Sequence, residues 1–342
     1  PKGNYNSFVA IDIETTGLST AKNKIIEILE KNRDCSISGQ ELADKLSVSR
    51  TAVWKTIQSL EKDGYIIDAS TNKGYKLNEN SDIISYEGIK FFLSEKYKKF
   101  TVQIYKILDS TNTYAKKIII DGAKHGTIII ANEQKAGRGR FGRTFFSPAD
   151  TGIYLSIILK PQKKISDTSL ITIAAAVAVC DTIKKTTCSE PKIKWVNDIF
   201  LNGKKICGIL TEAVSDFESG IVESAVTGIG INIKTAEERF PEDLKRTASS
   251  LFPENISRNQ IIAELINNFF ELYENLSDKN LIERYKEYSL VLGKEITYFK
   301  DDKTQTGTAV DINENGNLII KDKNKKTSVL ESGEVTLNSK KD

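Results

Sequence analysis

The sequence predicts an α+β protein with several domains: a helical module, a central mixed β-sheet with flanking helices, and a small domain of short strands. Three observations predict this class. Apolar residues recur at helical spacing near the N-terminal end, strands and helices alternate through the middle, and short alternating segments separated by polar turns close the chain. With 342 residues, 39% of them hydrophobic, the chain can bury two or three cores.

The composition excludes several classes of function. Basic residues number 49 and acidic residues 46, so DNA binding would have to depend on a local patch. The single histidine, His125, stands in a turn-like stretch and is expected to be solvated, which argues against a serine hydrolase or a histidine metal site. The four cysteines lack C-x-x-C spacing and are expected to be reduced thiols. We find neither a membrane-length apolar run nor a signal segment, so we expect no membrane partner and a cytoplasmic location.

Residues 1–21 form an extension of unknown role. The stretch from Phe8 to Gly17 resembles the first motif of DEDD-type exonucleases, a strand whose carboxylates, here Asp12 and Glu14, hold metal ions. That family needs further acidic motifs across its own fold, whereas an amphipathic helix follows here. We therefore expect no nuclease activity.

Residues 22–80 are predicted to form three helices and a hairpin. An apolar stripe marks the first helix, and Ser38 caps the second, with Glu41 at the capping-box position. After a tight turn, Ser49 caps a third helix over residues 50–63, which Gly64 ends. Two short strands follow, joined by a polar turn over residues 70–73. This order is typical of a winged helix-turn-helix domain.

The third helix of such a module usually enters the major groove of DNA while the wing touches the backbone. The periodicity predicts that Val53, Trp54, Ile57 and Leu60 face inward. The outward residues with the chemistry for DNA binding are Ser49, Arg50, Thr51 and Lys55, with Lys73 on the wing. The alternative is a winged helix retained for protein contacts.

Residues 81–290 are predicted to form a central domain, a sheet with flanking helices. Neighbouring strands meet through hairpins, which favours a mixed or antiparallel sheet over a doubly wound one. The predicted helices cover residues 87–97, 112–121, 169–184, 259–276 and 281–289, and the predicted strands cover 102–105, 126–133, 152–160, 193–195 and 223–233, with a hairpin over 199–212. Residues 291–342 change character to short strands and turns, which suggests a small SH3-like β-barrel.

An arginine-rich loop follows the second predicted strand of the sheet. Residues 137–142 spell G-x-G-x-x-G, but a strand follows them where a dinucleotide-binding fingerprint requires a helix. What remains is a flexible backbone carrying Arg138, Arg140 and Arg143. Guanidinium groups match phosphate oxygens, so the loop is a candidate phosphate site. A solvated basic loop is the alternative.

Two further clusters carry chemistry. In residues 192–198, Lys192 and Lys194 share one face of a strand, and a lysine between a carboxylate and a phosphate could stabilise charge during a transfer. In residues 227–232, a strand ends in two glycines and Asn232, which suits close approach by a ligand. Each cluster alone is a weak signal.

Together and in order, these motifs resemble the signature of biotin protein ligases. The segments that carry the resemblance are Ser110-Thr111-Asn112, Gln134, residues 137–140, residues 194–198 and residues 228–232. With a winged helix in front and a barrel behind, the chain resembles the bifunctional type, a ligase that is also the biotin operon repressor. The resemblance covers residues 22–337.

The resemblance implies a class II synthetase-like ligase fold and a two-step reaction. ATP and Mg²⁺ activate biotin to biotinoyl-5′-AMP, and biotin then passes to a lysine of a biotin carboxyl carrier protein. It assigns catalysis to Lys194, Arg138 and Arg140; biotin binding to Ser110, Thr111, Asn112, Gln134, Arg138, Gly139, Arg140 and Lys194; and ATP or adenylate binding to Arg140, Arg143, Phe145, Asn197, Asn232 and Arg246. The Mg²⁺ is expected with the ATP phosphates, with no protein ligand assigned.

The resemblance also implies regulation. The adenylate would promote a homodimer that binds a palindromic biotin operator, while the acceptor, a subunit of acetyl-CoA carboxylase or pyruvate carboxylase, competes for the same surface. Two departures stand out: Val196 replaces a common proline, and Phe145 replaces a tryptophan that stacks on adenine. Two alternatives stay open, a catalytically inactive biotin sensor and a lipoyl or octanoyl transferase-like enzyme.

Overall fold

A computed structural model describes residues 17–70, 73–161, 168–215, 222–254, 256–300 and 303–338. The two carboxylates of the exonuclease-like motif, Asp12 and Glu14, lie outside these ranges. So do Thr71 and Asn72 of the predicted wing turn and the last four residues of the predicted C-terminal domain. Within the described ranges, no helix is long and apolar enough to cross a membrane.

The N-terminal module has the predicted order of elements. Its helices are α1 (Gly17–Lys31), α2 (Gly39–Leu46) and α3 (Arg50–Lys62), and its antiparallel hairpin is β1 (Ile67–Ser70) and β2 (Gly74–Leu77). The hydroxyls of Ser38 and Ser49 accept hydrogen bonds from the amides of Glu41 and Ala52, at 3.0 and 3.1 Å. Gly64 ends α3 with a φ of +100°. The capping box is half formed, because the Glu41 carboxylate pairs with Lys45.

The inward orientation predicted for Trp54 is wrong. Its side chain is 49% exposed, whereas Val53, Ile57 and Leu60 are buried as predicted. Thr56 occupies the remaining place in the buried stripe of α3, with its hydroxyl bonded to the Ala52 carbonyl. At roughly 3.6 residues per turn, Trp54 lies on a different side of the helix from this stripe and faces outward.

The central domain contains a seven-stranded sheet in the order β3-β4-β5-β9-β8-β7-β6. Only the β3–β4 pair is parallel among the described pairings, so the predicted mixed sheet is confirmed. The strands are β3 (Val102–Leu108), β4 (Ile128–Gln134), β5 (Gly152–Leu159), β6 (Lys192–Lys194), β7 (Asp198–Leu201), β8 (Lys204–Ser215) and β9 (Val222–Asn232). The helices are α4 (Tyr86–Phe92), α5 (Thr111–Ile120), α6 (Ser169–Thr187), α7 (Arg258–Tyr273) and α8 (Lys279–Tyr288).

The two faces of this sheet are covered unequally. One face packs against the alanine-rich helix α6, which in turn packs against α7 and α8 in the main core. On the other face, α5 covers only part of the sheet, around Ile129, Ile158 and Val226. β5 is buried along its whole length because it lies between these layers. The uncovered part of the α5 face is therefore the place where a cavity can form.

Two local predictions differ from the structure. Helix α4 stops at Phe92, short of the predicted end at residue 97, because the Asn267 side chain accepts a hydrogen bond from the Ser94 amide and diverts the chain. His125 is half-buried against Phe100 and Phe270, where the prediction was a solvated loop residue. Burial lowers the pKa of His125, and its Nδ1 accepts a hydrogen bond from a backbone amide.

The C-terminal domain is a five-stranded antiparallel sheet in the order β13-β12-β11-β10-β14. Its strands are β10 (Glu295–Lys300), β11 (Lys303–Ile312), β12 (Leu318–Lys321), β13 (Thr327–Leu330) and β14 (Val335–Leu337). The predicted closed barrel is not confirmed, because the edge strands β13 and β14 do not pair with each other within the described ranges. The Trp195 indole joins this domain to the central one by donating to the Gly316 carbonyl at 2.9 Å.

A buried arginine connects the segment between β2 and α4 to the central sheet. The Arg258 side chain is 2% exposed, and its Nε lies 2.9 Å from the Asp82 carboxylate. The same guanidinium donates to the backbone carbonyls of Asp82 and Gly152 and to the Asn132 side chain. All three nitrogens of the guanidinium donate hydrogen bonds, and this makes a buried cation tolerable.

Replacing Arg258 by alanine is expected to lower the free energy of unfolding by about 3–5 kcal/mol, because it strips a buried network of its donor. Urea unfolding followed by circular dichroism measures this. The matched control is Lys234→Ala, which removes the more exposed second partner of Asp82 and should cost under about 1 kcal/mol. Equal losses for the two variants would contradict the assignment.

Candidate functional site

The cavity stands on a floor of three glycines. Gly208 of β8 pairs with Gly230 of β9, and Gly228 lies two residues before Gly230 on the same face of the sheet, the α5 face. A Cβ at Gly228 would lie 2.1 Å from the Asn112 Oδ1, and one at Gly230 would lie 2.6 Å from the Phe145 ring. The absence of side chains here lets Asn112 and Phe145 lie against the strands, and both residues line a cavity of about 510 Å³.

Almost all the predicted ligand-site residues line this cavity. The structure brings together Ser110, Thr111, Asn112, Gln134, Arg138, Gly139, Arg140, Arg143, Phe145, Lys194, Asn197 and Arg246. They come from segments separated by more than half of the catalytic domain, so the sheet topology is what assembles them. The exception is Asn232, which lies outside the lining.

The first turn of α5 forms a polar wall. Gln134 accepts hydrogen bonds from the Thr111 amide at 2.9 Å and hydroxyl at 3.1 Å, and its Nε2 donates to Ser147. Ser110 caps the helix through the Thr113 amide. Asn112 is held at both ends of its amide, because Oδ1 accepts from the Ser156 hydroxyl at 2.6 Å and Nδ2 donates to the Leu210 carbonyl at 3.1 Å. These fixed amides present a rigid surface to a ligand.

Glu212 is a site-forming residue that the sequence analysis missed. Its carboxylate accepts from Asn112 at 2.9 Å and pairs with Lys116 at 2.8 Å and with Arg138 at 3.4 Å. Burial acts to raise the pKa of Glu212, but these donors and cations outweigh it and lower the pKa. Glu212 therefore stays ionised and anchors the start of the arginine loop. The available signal was its position in β8, where alternation places Glu212 on the same face as Gly208.

The arginine loop is a short hairpin over the cavity. Arg138 and Thr144 form a β-bridge, the Gly139 amide donates to the Arg143 carbonyl at 2.8 Å, and a 3₁₀ turn spans Arg140–Gly142. No helix follows, which confirms that the glycine pattern is not a dinucleotide fingerprint. Phe141 at the tip has a φ of 54° and is 68% exposed.

The C-terminal domain completes the cavity through the loop before β14. The Gly333 carbonyl accepts from Arg140 at 3.1 Å, and Glu334 binds Arg143 through two hydrogen bonds of 2.7 and 2.8 Å. The Arg143 guanidinium holds the pKa of Glu334 below its usual range. Burial lowers the pKa of Arg140, although Asp198 and Glu334 oppose this shift. No sequence signal linked residues 333–334 to a loop almost two hundred positions earlier.

Lys194 is a free cation inside the cavity. Lys192 and Lys194 lie on one face of β6 as predicted, but Lys192 donates outside the cavity, to the Glu287 carbonyl. The Lys194 Nζ lies 5.8 Å from the centre of the Phe200 ring and has no ion-pair partner among the described residues. In the turn that follows, the peptide bond between Trp195 and Val196 is cis, and Asn197 bonds to the Ile209 carbonyl and to Arg140.

The far end of the cavity is closed by the segment that contains Arg246. Backbone hydrogen bonds between Lys205 and the residues Thr247 and Ser249 hold this segment against β8. The Asn232 side-chain amide donates to the Ser249 carbonyl at 3.0 Å, so Asn232 stabilises this segment without lining the cavity. Lys205 also lines the cavity and pairs with Asp198 at 2.7 Å, a pair that the sequence analysis missed.

The predicted DNA-binding residues are divided between α3 and the hairpin of the N-terminal module. Arg50, Thr51 and Lys55 are exposed on α3, and Lys73 is exposed on the hairpin. The three cations have no ion-pair partner in the described part of the chain, whereas Lys22, Arg33 and Lys45 of the same module are paired. Ser49 uses its hydroxyl to cap α3.

Comparisons with known proteins agree with this arrangement. Residues 104–232 match the model of the Biotin/lipoate A/B protein ligase family, residues 22–76 match an HTH domain, and residues 291–337 match the Biotin protein ligase C terminal domain. The chain is 34% identical over 308 residues to the "Bifunctional ligase/repressor BirA" of Bacillus subtilis, covering 88% of this chain and 94% of that protein.

Two more relatives extend the comparison. The protein of the same name from Escherichia coli is 28% identical over 83% of this chain and 87% of its own length. Among solved structures, "Biotin protein ligase from Aquifex aeolicus in complex with biotin and ATP" is 25% identical with a TM-score of 0.60, covering 70% of this chain and 99% of that one. The chain belongs to the biotin protein ligase family. Its helix-turn-helix match and its coverage of the Bacillus relative place it among the bifunctional ligase/repressor members.

A methyl group at position 228 is expected to disrupt the polar wall, because it would displace the Asn112 amide from its partners. The expected loss for Gly228→Ala is about 1–3 kcal/mol of stability, measured by thermal unfolding. Gly39→Ala is the matched control, since a Cβ there makes only ordinary contact with Tyr75. An unchanged melting temperature for Gly228→Ala would show that the floor does not need glycine.

Proposed function

We propose that the chain is an ATP-dependent biotin ligase and a biotin-responsive repressor. In the first reaction, a biotin carboxylate oxygen attacks the α-phosphorus of ATP, the bond to pyrophosphate breaks, and biotinoyl-5′-AMP forms. In the second, the amine of a lysine in a biotin carboxyl carrier protein attacks the acyl carbon and AMP leaves. The observation that carries the ligase function is the convergence of Lys194, Arg138 and Arg140 on one glycine-floored cavity.

The biotin end of the cavity is assigned to the polar wall of α5. Ser110, Thr111, Asn112 and Gln134 supply fixed donors and acceptors for a small polar ring, and Gly139 lets the loop backbone approach. Arg138 and Arg140 would cover the acyl-phosphate. Glu212 acts as a positioning residue, because it holds both Asn112 and Arg138 in place.

The adenylate end is assigned to the other side of Lys194. The Phe145 ring lies over Gly208 and Gly230, where it offers an aromatic surface for adenine. Arg143 and Arg246 would meet phosphate oxygens, and Asn197 would fix Arg140 from the turn after β6. We keep Asn232 in this set as the residue that supports the Arg246 segment.

Lys194 would neutralise the biotin carboxylate and an α-phosphate oxygen together. Both anions must approach closely before the bond forms, so a fixed ammonium group lowers their repulsion and stabilises the transition state. Mg²⁺ supplies further charge neutralisation when it is bound with the ATP phosphates. The cavity carboxylates Asp198 and Glu334 are already paired with cations, so we assign the ion's ligands to phosphate oxygens.

The repressor function rests on the N-terminal module. We infer that Ser49, Arg50, Thr51, Lys55 and Lys73 form its DNA-facing surface, with α3 in the major groove. A palindromic biotin operator needs two such modules, so the chain would bind it as a homodimer that the adenylate favours.

Domain limits at 22–80, 81–290 and 291–342, an SH3-like C-terminal domain and a cytoplasmic location complete the proposal. The strand order β13-β12-β11-β10-β14, with the last strand returning beside the first, supports the SH3-like assignment.

Intact-mass analysis of a biotin carrier domain tests the ligase. Incubation with the chain, biotin, ATP and Mg²⁺ is expected to add one biotinoyl group, and Lys194→Ala should slow this by about 100-fold to 1,000-fold. Lys192→Ala is the matched control, with the same charge change two positions away and outside the cavity. No mass gain with the unaltered chain would favour the inactive-sensor alternative. A lipoyl mass gain on a lipoyl carrier domain, in a parallel incubation that supplies lipoate in place of biotin, would favour the transferase.

Titration of operator DNA tests the coupling between the two functions. A duplex selected from a random library by the biotin- and ATP-saturated chain is expected to bind roughly 5-fold to 150-fold more weakly without these substrates. Lys194→Ala should lose the enhancement, because it forms little adenylate. Affinity that does not respond to biotin and ATP would refute the repressor mechanism.

A further inference from the structure

The outer face of α3 carries one large apolar side chain among polar ones. The buried stripe of this helix consists of Val53, Thr56, Ile57 and Leu60, and the exposed arc consists of Arg50, Thr51, Trp54, Lys55, Gln58, Glu61 and Lys62. At roughly 3.6 residues per turn, Trp54 falls near the middle of the exposed arc. The largest side chain of the module therefore points away from its core.

Packing within the module does not explain this position. The hydrophobic core of the N-terminal module is formed by residues of α1, α2, α3 and the hairpin, and Trp54 is not part of it. A single exposed apolar residue needs no partner by itself, but tryptophan is among the residue types most enriched at binding hot spots, so its position on a polar face directs attention to the groups around it.

The charges around Trp54 indicate what covers it. Arg50 and Lys55 flank the ring, and neither has an ion-pair partner within the described ranges. The one carboxylate on the arc, Glu61, lies almost two turns further on, near the end of the helix. Unpaired cations on either side of an aromatic ring suit a polyanion that also presents apolar groups, and double-stranded DNA does so through the thymine methyl groups in its major groove.

We propose that Trp54 contacts a thymine 5-methyl group in the operator and helps to set its sequence preference. The proposal rests on the repressor function proposed above. Arg50, Lys55 and Lys73 neutralise phosphates, which gives affinity without reading sequence. Trp54 reads sequence, because an indole against the groove gains from a thymine methyl and gains nothing from the bare edge of another base.

Thymine-to-uracil replacement tests this contact directly, since uracil lacks only the methyl group. The probe is the duplex selected by the full chain with biotin, ATP and Mg²⁺, with each thymine of a half-site replaced in turn. At one position or more, uracil is expected to weaken binding of the unaltered chain about 4-fold, the value of one buried methyl group. Trp54→Ala should bind the thymine duplex roughly 10-fold more weakly and show no further uracil penalty at that position.

Ile66→Ala is the matched control. Ile66 is a similarly exposed apolar residue of the same module, at 47%, but lies off α3. Its replacement should leave both the affinity and the uracil penalty unchanged. Trp54→Ala binding with unchanged affinity and an unchanged uracil penalty overturns the contact while leaving the repressor function intact. Failure of the unaltered chain to select any duplex overturns the repressor function, and with it the contact.

Fluorescence gives a second readout that does not depend on affinity. The chain has two tryptophans, and the other, Trp195, is only 3% exposed. Iodide should therefore quench mainly Trp54 in the free protein, and a saturating duplex should remove most of that quenching. Trp54→Phe should lose the quenchable component while keeping an aromatic ring and binding within a few-fold of the unaltered chain. Quenching that persists on saturating DNA contradicts the proposal.

Discussion

The ligand cavity of this protein depends on the absence of side chains at three neighbouring positions of its central sheet. Gly208, Gly228 and Gly230 share the face that α5 leaves uncovered, and no other floor would let Phe145 and Asn112 lie so close to the strands. The opposite face is filled by α6 with α7 and α8 behind it. A rigid sheet with one packed face and one bare strip holds a ligand without needing to deform.

Charge around the cavity is organised by pairs that reach across the fold. Arg138 is held by Glu212 of β8, Arg140 by the turn after β6, and Arg143 by Glu334 of the C-terminal domain. The loop is therefore tied to three other parts of the molecule, and the C-terminal domain binds both Arg140 and Arg143. Lys194 has no such ion pair among the described residues, which leaves it free for substrate anions. The C-terminal domain completes the wall through Gly333 and Glu334.

Much of the fold and most of the site could be predicted from local patterns. Capping serines, glycine stops and alternation gave the helices and the mixed sheet, and short motifs identified the cavity residues. What could not be predicted depends on partners distant in sequence. Asn267 ends α4, the C-terminal sheet meets the arginine loop, and Asn232 turns towards Ser249. Trp54 was misplaced because amphipathic periodicity favours burying the larger apolar residue, whereas Thr56 satisfies its hydroxyl within the helix and takes the inner place.

The proposed catalysis requires Lys194 to stand between the biotin carboxylate and the α-phosphate. A crystal structure of the chain with a non-hydrolysable biotinoyl-adenylate analogue tests it most directly. We expect the analogue to lie in the cavity between Asn112 and Phe145, with the Lys194 Nζ within about 3.2 Å of both the acyl and the phosphate oxygens. An analogue bound in this cavity with Lys194 turned away from both oxygens, or bound elsewhere on the chain, would rule out this role for Lys194.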